Sequence, residues 1–432
     1  MTERRLVGLD GIRGLAALFV MLHHCWLLSY PGYPRATGPM WSNWLIYGHF
    51  AVVIFIVLSG FSLAVSPARH DWELGGRARF AHRRAWRILP PYWAALAISL
   101  LVAWFVVPQP NTPSPDSKSV VVYGLLLQDI FGAHTPNGAF WSIAIEAQLY
   151  LVFPILLIVL RRAGAVVMLA GMTSLVMLVG VLAPQVSVVD MLMRLTPQFA
   201  ALFALGVVAA GILRASSRWR QVPWPWLALA ALVPVLAVIA WRGSVWTVEN
   251  FFWVDLALGP AFGALLAGLA IGRPTWLVRL LDTRPIRSLG SFSYSLYLIH
   301  APIVVFVFTR VVAPRVSPGV PRFLTMLVVA APLAILGARL FAGVFELPFT
   351  RNRTWPALKA AMQARLARLG VGRPAPALDA PLVAAPALAA TGGQADQPAA
   401  AVPDDVLLAT QVHPVHGRPG PDPLLTGEVG GA

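Results

Sequence analysis

Residues 12–29, IRGLAALFVMLHHCWLLS, form a mainly apolar stretch whose only basic side chains are Arg13, His23 and His24. An α-helix rises about 1.5 Å per residue, so about 20 apolar residues cross a hydrocarbon core of roughly 30 Å. The stretch therefore predicts a transmembrane helix that carries ionisable side chains inside the membrane, where such groups are energetically costly.

The whole chain of 432 residues is, like this segment, rich in apolar residues and poor in charged ones. Hydrophobic residues make up 58% of it and charged residues only 12%, about half of the roughly 25% found in soluble domains. The mean hydropathy is +0.70. This composition excludes a set of soluble domains and predicts an all-α polytopic membrane protein. The single cysteine, Cys25, excludes a disulfide framework or a cysteine-based metal site, and we expect no metal.

Ten segments are apolar and long enough to be transmembrane spans. The run from residue 120 to residue 131 is too short to cross, and we expect a re-entrant or interfacial helix there. The predicted spans are residues 12–29, 49–65, 88–107, 140–160, 166–183, 196–213, 226–241, 251–271, 291–309 and 323–345.

The positive charges indicate the orientation of these spans. The net charge of +15 would suit a nucleic-acid-binding protein, but the basic residues lie in short clusters between apolar runs, so we expect no nucleic acid as a partner. With the N-terminus inside, 22 arginines and lysines fall in cytoplasmic segments and 7 in outer ones. This asymmetry predicts ten transmembrane helices with both termini cytoplasmic, in the plasma or inner membrane.

The chain divides into three predicted parts. Residues 1–350 form the ten-helix membrane domain. Residues 351–370 are predicted to be a basic amphipathic helix on the cytoplasmic leaflet, because apolar residues recur there at helical spacing with basic residues between them. Residues 371–432 are rich in Ala, Pro and Gly and are predicted to be a disordered tail.

The first span carries a polar face. Arg13 and His24 are eleven residues apart, which returns a helix to within roughly 20° of its starting direction and separates them by about 16 Å. Asp10 lies three residues before Arg13 and can pair with it. His24 can transfer protons or can join two helices by a hydrogen bond, and the sequence leaves both roles open. Cys25 points about 100° away from His24, which disfavours it as a nucleophile.

Four further ionisable residues lie at membrane depth or at its edge. Glu146 falls in the fourth span and His300 in the ninth. A carboxylate and an imidazole enclosed by helices suit proton transfer as well as structural hydrogen bonding. Arg339 lies inside the tenth span and Glu346 at its cytoplasmic end, seven residues later, so we expect them to share a face. Structural pairing, or extension of the side chains to the membrane surface, is favoured over a functional role for these two residues.

A cluster of arginines, in FAHRRAWRILPPY at residues 80–92, precedes the third span. Arg83, Arg84 and Arg87 can hold phosphate groups through paired hydrogen bonds, and Trp86 can stack on a nucleotide base. We expect a loop here, stiffened by the two prolines at its end. The alternative is a loop whose charges only fix the topology.

Five motifs resemble the acyltransferase 3 family of integral-membrane O-acyltransferases. The opening RLVGLDGIRGLAALFVMLHH is similar to the family's first span, in which an arginine is followed by ten residues and a histidine. Arg84 and Arg87 match its Arg-x-x-Arg before the third span. The other similar stretches are IFIVLSGFSLA at residues 54–64, FWSIAIEAQLYLVFP at 140–154 and SYSLYLIHAPI at 293–303.

The resemblance implies ten spans with both termini inside and transfer of an acyl group, acetyl or short-chain, from acyl-CoA to a hydroxyl group. The acceptor would be a carbohydrate, a glycolipid or a glycosylated natural product. His24 would be the general base, supported by Glu146. The residues that would bind the donor are Arg13, Arg83, Arg84 and Arg87. The supporting candidates are Asp10, His300 and Arg339.

The expected partners are acyl-CoA as donor substrate, the acceptor and membrane lipid. We expect no tightly bound cofactor, and the sequence does not indicate the oligomeric state.

The sequence departs from the family at two places. Ala147 stands where a second glutamate usually follows Glu146, and residues 51–53 replace a Gly-Val-Asp. Two other functions stay open: a proton-coupled transporter, which should show repeat symmetry, and a non-catalytic membrane protein that binds glycolipid.

Topology reporters fused after Arg69, Arg161, Arg214, Arg279 and Arg353 should all report a cytoplasmic position, because each fusion point lies in a segment that the charge asymmetry assigns to the inside. The measurement is the activity, in intact cells, of a reporter that functions only in the cytoplasm. External signals at two of these positions would contradict the ten-span topology.

Overall fold

The computed structural model describes residues 6–110 and 112–368, with side chains described as far as residue 364. Within these ranges the regular elements are all helices, which confirms the all-α class. The tail predicted over residues 371–432 lies outside the described residues.

Seventeen α-helices follow one another along the described part of the chain, with 3-10 turns at Asn43–Tyr47 and Ala210–Leu213. Two π-helical segments, Val307–Val312 and Ala342–Glu346, extend α14 and α15. The α-helices are α1 (Leu9–Ser29), α2 (His49–Arg69), α3 (Arg77–Phe105), α4 (Ser117–Gly124), α5 (Gln128–Phe131), α6 (Trp141–Leu182), α7 (Ser187–Met193), α8 (Gln198–Ala209), α9 (Ser217–Gln221), α10 (Trp224–Glu249), α11 (Phe251–Ala270), α12 (Thr275–Leu281), α13 (Arg284–Ser291), α14 (Ser293–Phe306), α15 (Val320–Phe341), α16 (Leu347–Arg351) and α17 (Trp355–Arg368).

The predicted spans coincide with helices, but the number of spans depends on two breaks. Among the described residues, eight helical stretches are long and apolar enough to cross a membrane, and α7 with Gln198–Leu213 makes a ninth candidate that is bent by 52°. The 42-residue α6 holds the fourth and fifth predicted spans and is broken at Gly164, where φ is 86°. An unbroken helix of that length would measure about 63 Å, twice the thickness of the bilayer core. The count of ten and the side of each terminus stay predictions.

The segment before the third span is helical, so the loop predicted there was wrong. α3 begins at Arg77 and continues through Pro90 and Pro91. A proline within a helix removes a backbone hydrogen bond and disfavours the helix locally. Ile88 and Tyr92, on either side of the prolines, are buried in the bundle. Tertiary packing therefore outweighs the local preference.

The apolar run that was too short to span the membrane forms α4 and α5. Asp116 caps α4, because its carboxylate accepts a hydrogen bond from the backbone N–H of Ser119 at 2.8 Å. This hydrogen bond stabilises the ionised carboxylate and lowers the pKa of Asp116.

α2 and α8 touch through two glycines. A Cβ atom at Gly60 would lie 2.1 Å from the carbonyl oxygen of Phe203, and one at Gly206 would lie 2.0 Å from that of Val57. No side chain fits in such a space, so only glycine lets the two backbones approach this closely. α2 also packs against α1 and α11, which places it in the middle of the bundle.

A second glycine contact holds α1 against α13. A Cβ atom at Gly14 would lie 2.6 Å from the backbone nitrogen of Gly290, and one at Gly290 would lie 2.1 Å from the carbonyl oxygen of Asp10. α1 is also packed against α2, α14 and α15. The polar residues of α1 are therefore surrounded by helices.

The π-helical segment Ala342–Glu346 separates two residues that were expected to pair. Arg339 is exposed and donates a hydrogen bond to the Ser288 hydroxyl at 3.0 Å. Glu346 is buried and accepts a hydrogen bond from the Ser295 hydroxyl at 2.5 Å. The predicted pairing of Arg339 with Glu346 was wrong, because a π segment contains more residues per turn than an α-helix and shifts the faces that follow it.

A helix, α17, lies where the basic amphipathic helix was expected. Leu358 is buried, and the ring of Trp355 packs edge-on against Trp86 at 6.4 Å between centroids. The start of α17 therefore contacts α3. Its position on the cytoplasmic leaflet stays a prediction.

Gly60→Ala and Gly206→Ala should each destabilise the protein, since the added methyl group forces α2 and α8 apart at a cost of about 1–3 kcal/mol. The measurement is the thermal midpoint of the detergent-solubilised protein, followed by size-exclusion chromatography after heating. Gly171→Ala is the matched control, because a Cβ atom there meets nothing within 4 Å. Equal midpoints for all three variants would show that the glycine contact is not required.

Candidate active site

A polar cavity of about 700 Å³ lies in the half of the bundle predicted to face the cytoplasm, and we call it the inner cavity. Its volume falls within the range of typical ligand-binding sites, roughly 300–1,000 Å³. Walls are provided by α1, α2, α3, α6, α14 and the segment around residues 346–350. The ionisable side chains that line it are Asp10, Arg13, Arg69, Arg84, Arg87, Glu146 and Glu346.

Arg13 is held at both ends of its guanidinium group. Its Nη1 donates a hydrogen bond to Asp10 Oδ1 at 3.0 Å, and its Nη2 donates to Ser62 Oγ at 2.6 Å. The pairing expected between Asp10 and Arg13 is confirmed. The contact with Ser62 joins α1 to α2 and fixes the guanidinium beside the inner cavity.

The arginine cluster of α3 is divided by helical geometry. Arg84 and Arg87 are three residues apart, so they share a face, and both line the inner cavity. Arg83 is exposed and does not line it. The inner cavity thus brings together three of the four arginines predicted to bind the donor.

Trp86 contacts the segment that follows the last predicted span. Its indole N–H donates to the carbonyl oxygen of Asn352 at 2.8 Å, and its ring packs against Phe349 at 5.5 Å between centroids. These contacts leave Trp86 engaged with the protein, so the expectation that it stacks on a nucleotide base is not supported by the geometry.

Glu146 reaches the inner cavity from α6. Its Oε1 accepts hydrogen bonds from Ser59 Oγ at 2.7 Å and from the Tyr150 hydroxyl at 2.5 Å. Two donors on one oxygen fix the orientation of the carboxylate. Its charge faces the same space as the guanidinium groups of Arg13 and Arg84.

Some polar residues of the inner cavity were given no role from the sequence. The hydroxyl groups of Tyr297 and Ser142 lie 2.6 Å apart and both residues line the cavity. Glu346 lines it too, although the sequence suggested a structural pair for this residue. Ser142 lies in the motif at residues 140–154 and Tyr297 in the motif at residues 293–303. Their spacing along the chain did not indicate that these two motifs contact each other.

His24 is paired with His300 outside this cavity. Nδ1 of His24 lies 2.8 Å from Nε2 of His300, and the two rings are stacked with centroids 5.0 Å apart. Nδ1 of His300 faces the carbonyl oxygens of Leu296 and Tyr297 at 3.0 and 2.9 Å. Because a carbonyl oxygen only accepts hydrogen bonds, Nδ1 of His300 must carry a proton.

When both rings are neutral, this arrangement fixes which nitrogen of each ring carries the proton. His300 with its proton on Nδ1 has an unprotonated Nε2, which accepts a hydrogen bond from the Nδ1–H of His24. His24 is then unprotonated at Nε2, which is the form that a general base requires. Two residues that the sequence placed in separate spans therefore form one unit.

His24 also lines a second, smaller pocket of about 120 Å³, which we call the outer pocket. The loop that follows α3 contributes Gln109 and Pro110 to its wall, so it lies toward the predicted outer side. α14 contributes Tyr297 to the inner cavity and Ala301, one helical turn or about 6 Å further on, to the outer pocket. The two spaces therefore lie on either side of the histidine pair.

His49 and Asp255 form a second buried pair, which was not predicted from the sequence. Nε2 of His49 lies 3.0 and 2.8 Å from the two carboxylate oxygens of Asp255, and Gln198 donates to the same carboxylate at 3.2 Å. Asp255 is fully buried. Asp255 could have been identified from the sequence, because a carboxylate inside the eighth span is as unusual as Glu146 in the fourth. These residues line neither the inner cavity nor the outer pocket.

Cys25 is fully buried and lines neither space, which removes geometric support for a thiol nucleophile. Over the described ranges, no group of three or more His, Cys, Asp or Glu side chains is arranged to hold a metal ion.

Helices enclose paired charges and an oriented imidazole in this part of the protein, and comparison with known proteins gives the family of the chain. A family model described as an acyltransferase domain matches residues 6–339. The chain belongs to this family, the acyltransferase 3 family, as the motifs indicated. The match includes the five motif regions from residue 6 onward, the outer pocket, and the inner cavity apart from Glu346, Leu347 and Thr350.

Curated relatives are similar over much of the chain. The "Putative peptidoglycan O-acetyltransferase YrhL" of Bacillus subtilis is 28% identical over 70% of this chain and 49% of its own length. The "Peptidoglycan O-acetyltransferase OatA" of Listeria monocytogenes is 24% identical over 81% of this chain and 57% of its own length. "Nodulation protein 10" of Rhizobium leguminosarum is 29% identical over 39% of this chain and 50% of its own length.

The chain thus spans about half the length of the curated relatives it matches. No solved structure matches it.

Proposed function

We propose that this protein transfers a short acyl group, such as acetyl, from cytoplasmic acyl-CoA to a hydroxyl group of an envelope carbohydrate. One observation carries the proposal: the arginine-lined cavity reaches Tyr297, less than one helical turn from His300, and His300 pairs with His24 so that Nε2 of His24 is left unprotonated. Family membership and the names of the relatives support the same reaction type.

The inner cavity suits the donor. Coenzyme A carries several phosphate charges and is present in the cytoplasm, the side toward which this cavity is predicted to face. Arg84 and Arg87 can form charge-assisted hydrogen bonds with phosphate oxygens. Arg13, held by Asp10 and Ser62, lies about 16 Å along α1 from His24, so it would contact the donor between its phosphate groups and the thioester.

His24 would act at the junction of the two spaces. Its Nε2 takes the proton of the acceptor hydroxyl while the hydroxyl oxygen attacks the thioester carbonyl. The carbon–sulfur bond then breaks, and the coenzyme A thiolate receives the proton from His24. Such a base accelerates a reaction by about 10²–10⁴-fold. His300 would keep the His24 ring oriented by accepting its Nδ1–H, and Glu146 would balance the positive charge of the inner cavity.

The acceptor would approach from the outer side. The loop after α3 and His24 both border the outer pocket, so an acceptor hydroxyl would reach His24 from the outer side of the bundle. Two relatives are named for O-acetylation of peptidoglycan, which supports a cell-wall carbohydrate as acceptor. A glycolipid or a glycosylated natural product would present the same hydroxyl chemistry.

Arg84→Ala and Arg87→Ala should each raise the KM for acetyl-CoA by about tenfold or more, because a hydrogen bond to a charged group contributes about 1.5–3 kcal/mol. The measurement is release of free coenzyme A by the purified protein with isolated peptidoglycan as acceptor. Arg83→Ala is the matched control, since Arg83 lies on the same helical turn but outside the inner cavity. A KM unchanged in all three variants would mean that the arginines of α3 fix topology only.

His24→Asn should insert normally and lose acyl transfer by about 10²-fold or more, because an amide can form hydrogen bonds but cannot accept and return a proton at neutral pH. The measurement is acyl transfer in membranes in which the amounts of wild-type and variant protein have been matched by immunoblot.

His23→Asn is the comparison variant and should lose far less activity. His23 Nδ1 lies 2.7 Å from the carbonyl oxygen of Leu45 and the residue lines neither space. Near wild-type transfer by His24→Asn would remove the histidine from the mechanism, whereas absence of transfer by the wild type itself would favour the transporter or the glycolipid-binding alternative.

A further inference from the structure

We propose that the outer pocket receives the acyl chain of the donor and limits it to about four carbon atoms. This inference rests on the proposed transfer from acyl-CoA and adds the residues that select the acyl group. It concerns Gly138, Ala301, Val304 and Val305, to which no role in the reaction has been given above.

The lining of the pocket is apolar apart from His24 and Gln109. Leu27 and Leu28 of α1 form one wall, Ala301, Val304 and Val305 of α14 form another, and Gly138 lies at the exposed edge. Val304 and Val305 are buried. A hydrocarbon chain gains free energy in such a lining, whereas the hydroxyl groups of a sugar would lose hydrogen bonds to water there.

The size of the pocket restricts what it can hold. An apolar protein cavity of about 150 Å³ holds benzene, with its six carbon atoms. The outer pocket measures about 120 Å³, which on that scale accommodates about five heavy atoms. Acetyl, propionyl and butyryl groups fit, hexanoyl does not, and a sugar ring of about twelve heavy atoms exceeds the space more than twofold.

The position of the pocket continues the path of the donor. A coenzyme A chain extending through the inner cavity toward Tyr297 would bring its thioester to the His24–His300 pair. The next space beyond the pair, one helical turn further along α14, is the outer pocket. The acyl chain would therefore enter the pocket while its carbonyl carbon stays beside His24, and the acceptor would meet it from the exposed edge.

Two positions allow the pocket volume to be changed in opposite directions. A Cβ atom at Gly138 would lie 4.0 Å from Gln109 Oε1, its nearest neighbour, so a larger side chain can be introduced without a clash at its first atom. Val305 is 5% exposed, and its replacement by alanine removes two methyl groups from the wall.

The experiment compares acetyl-, butyryl-, hexanoyl- and octanoyl-CoA, with release of coenzyme A by the purified protein and isolated peptidoglycan as acceptor. For the wild type, kcat/KM should fall by about tenfold or more between butyryl-CoA and hexanoyl-CoA, since one methylene group alters the specificity of an apolar pocket by about 10–200-fold.

Gly138→Leu should lower the ratio of kcat/KM for butyryl-CoA to that for acetyl-CoA by about tenfold, and Val305→Ala should raise the ratio for hexanoyl-CoA to acetyl-CoA by a similar factor. Ratios within one preparation are independent of how much of the variant is folded. Gly171→Leu and Val328→Ala are the matched controls, because both positions are exposed and distant in sequence from the pocket, and their ratios should equal those of the wild type.

Two outcomes would overturn the inference while leaving the proposed function in place. One is equal use of octanoyl-CoA and acetyl-CoA by the wild type. The other is unchanged acyl-CoA ratios in both pocket variants, together with a raised KM for the acceptor, which would assign the pocket to the acceptor. Absence of coenzyme A release from every acyl-CoA tested would reject the proposed function, and this inference with it.

Discussion

Polar side chains inside an apolar bundle need polar partners, because an unpaired group in such surroundings costs several kcal/mol. In this protein the partners come from different helices, and one helix provides many of them. Ser62 of α2 accepts a hydrogen bond from Arg13 of α1, Ser59 of α2 donates to Glu146 of α6, and His49 of α2 contacts the buried carboxylate of α11. The orientation of the cavity charges therefore depends on the position of α2, which the glycine contact with α8 maintains.

Features set by neighbouring residues were accessible from the sequence. Apolar length located the membrane helices, and a spacing of three residues placed Asp10 beside Arg13. The central contact of the site was not accessible in this way. His24 and His300 are separated by 276 positions along the chain, and the period of a helix carries no information about which other helix it will face. Both residues could be named as candidates, but not as a pair.

The two wrong predictions share a physical cause: each relied on a local preference of the chain, and the packed structure departs from that preference. Prolines at 90 and 91 favoured a loop, yet burial of the neighbouring Ile88 and Tyr92 keeps α3 helical. That change makes the arginines of α3 part of a rigid element instead of a flexible one. Helical spacing paired Arg339 with Glu346, and the π segment between them changed the spacing itself.

The π segment also limits insertions and deletions in this part of the membrane domain. Such a segment holds one residue more than an α-helix with the same hydrogen-bonded ends, so it behaves as a one-residue insertion in the tenth predicted span. Loss of a single residue between 342 and 345 would restore α-helical register and rotate all that follows by about 100°. Glu346 would leave the cavity, and Asn352 would leave the indole of Trp86. Chain length at this point is therefore as strict a constraint as residue identity.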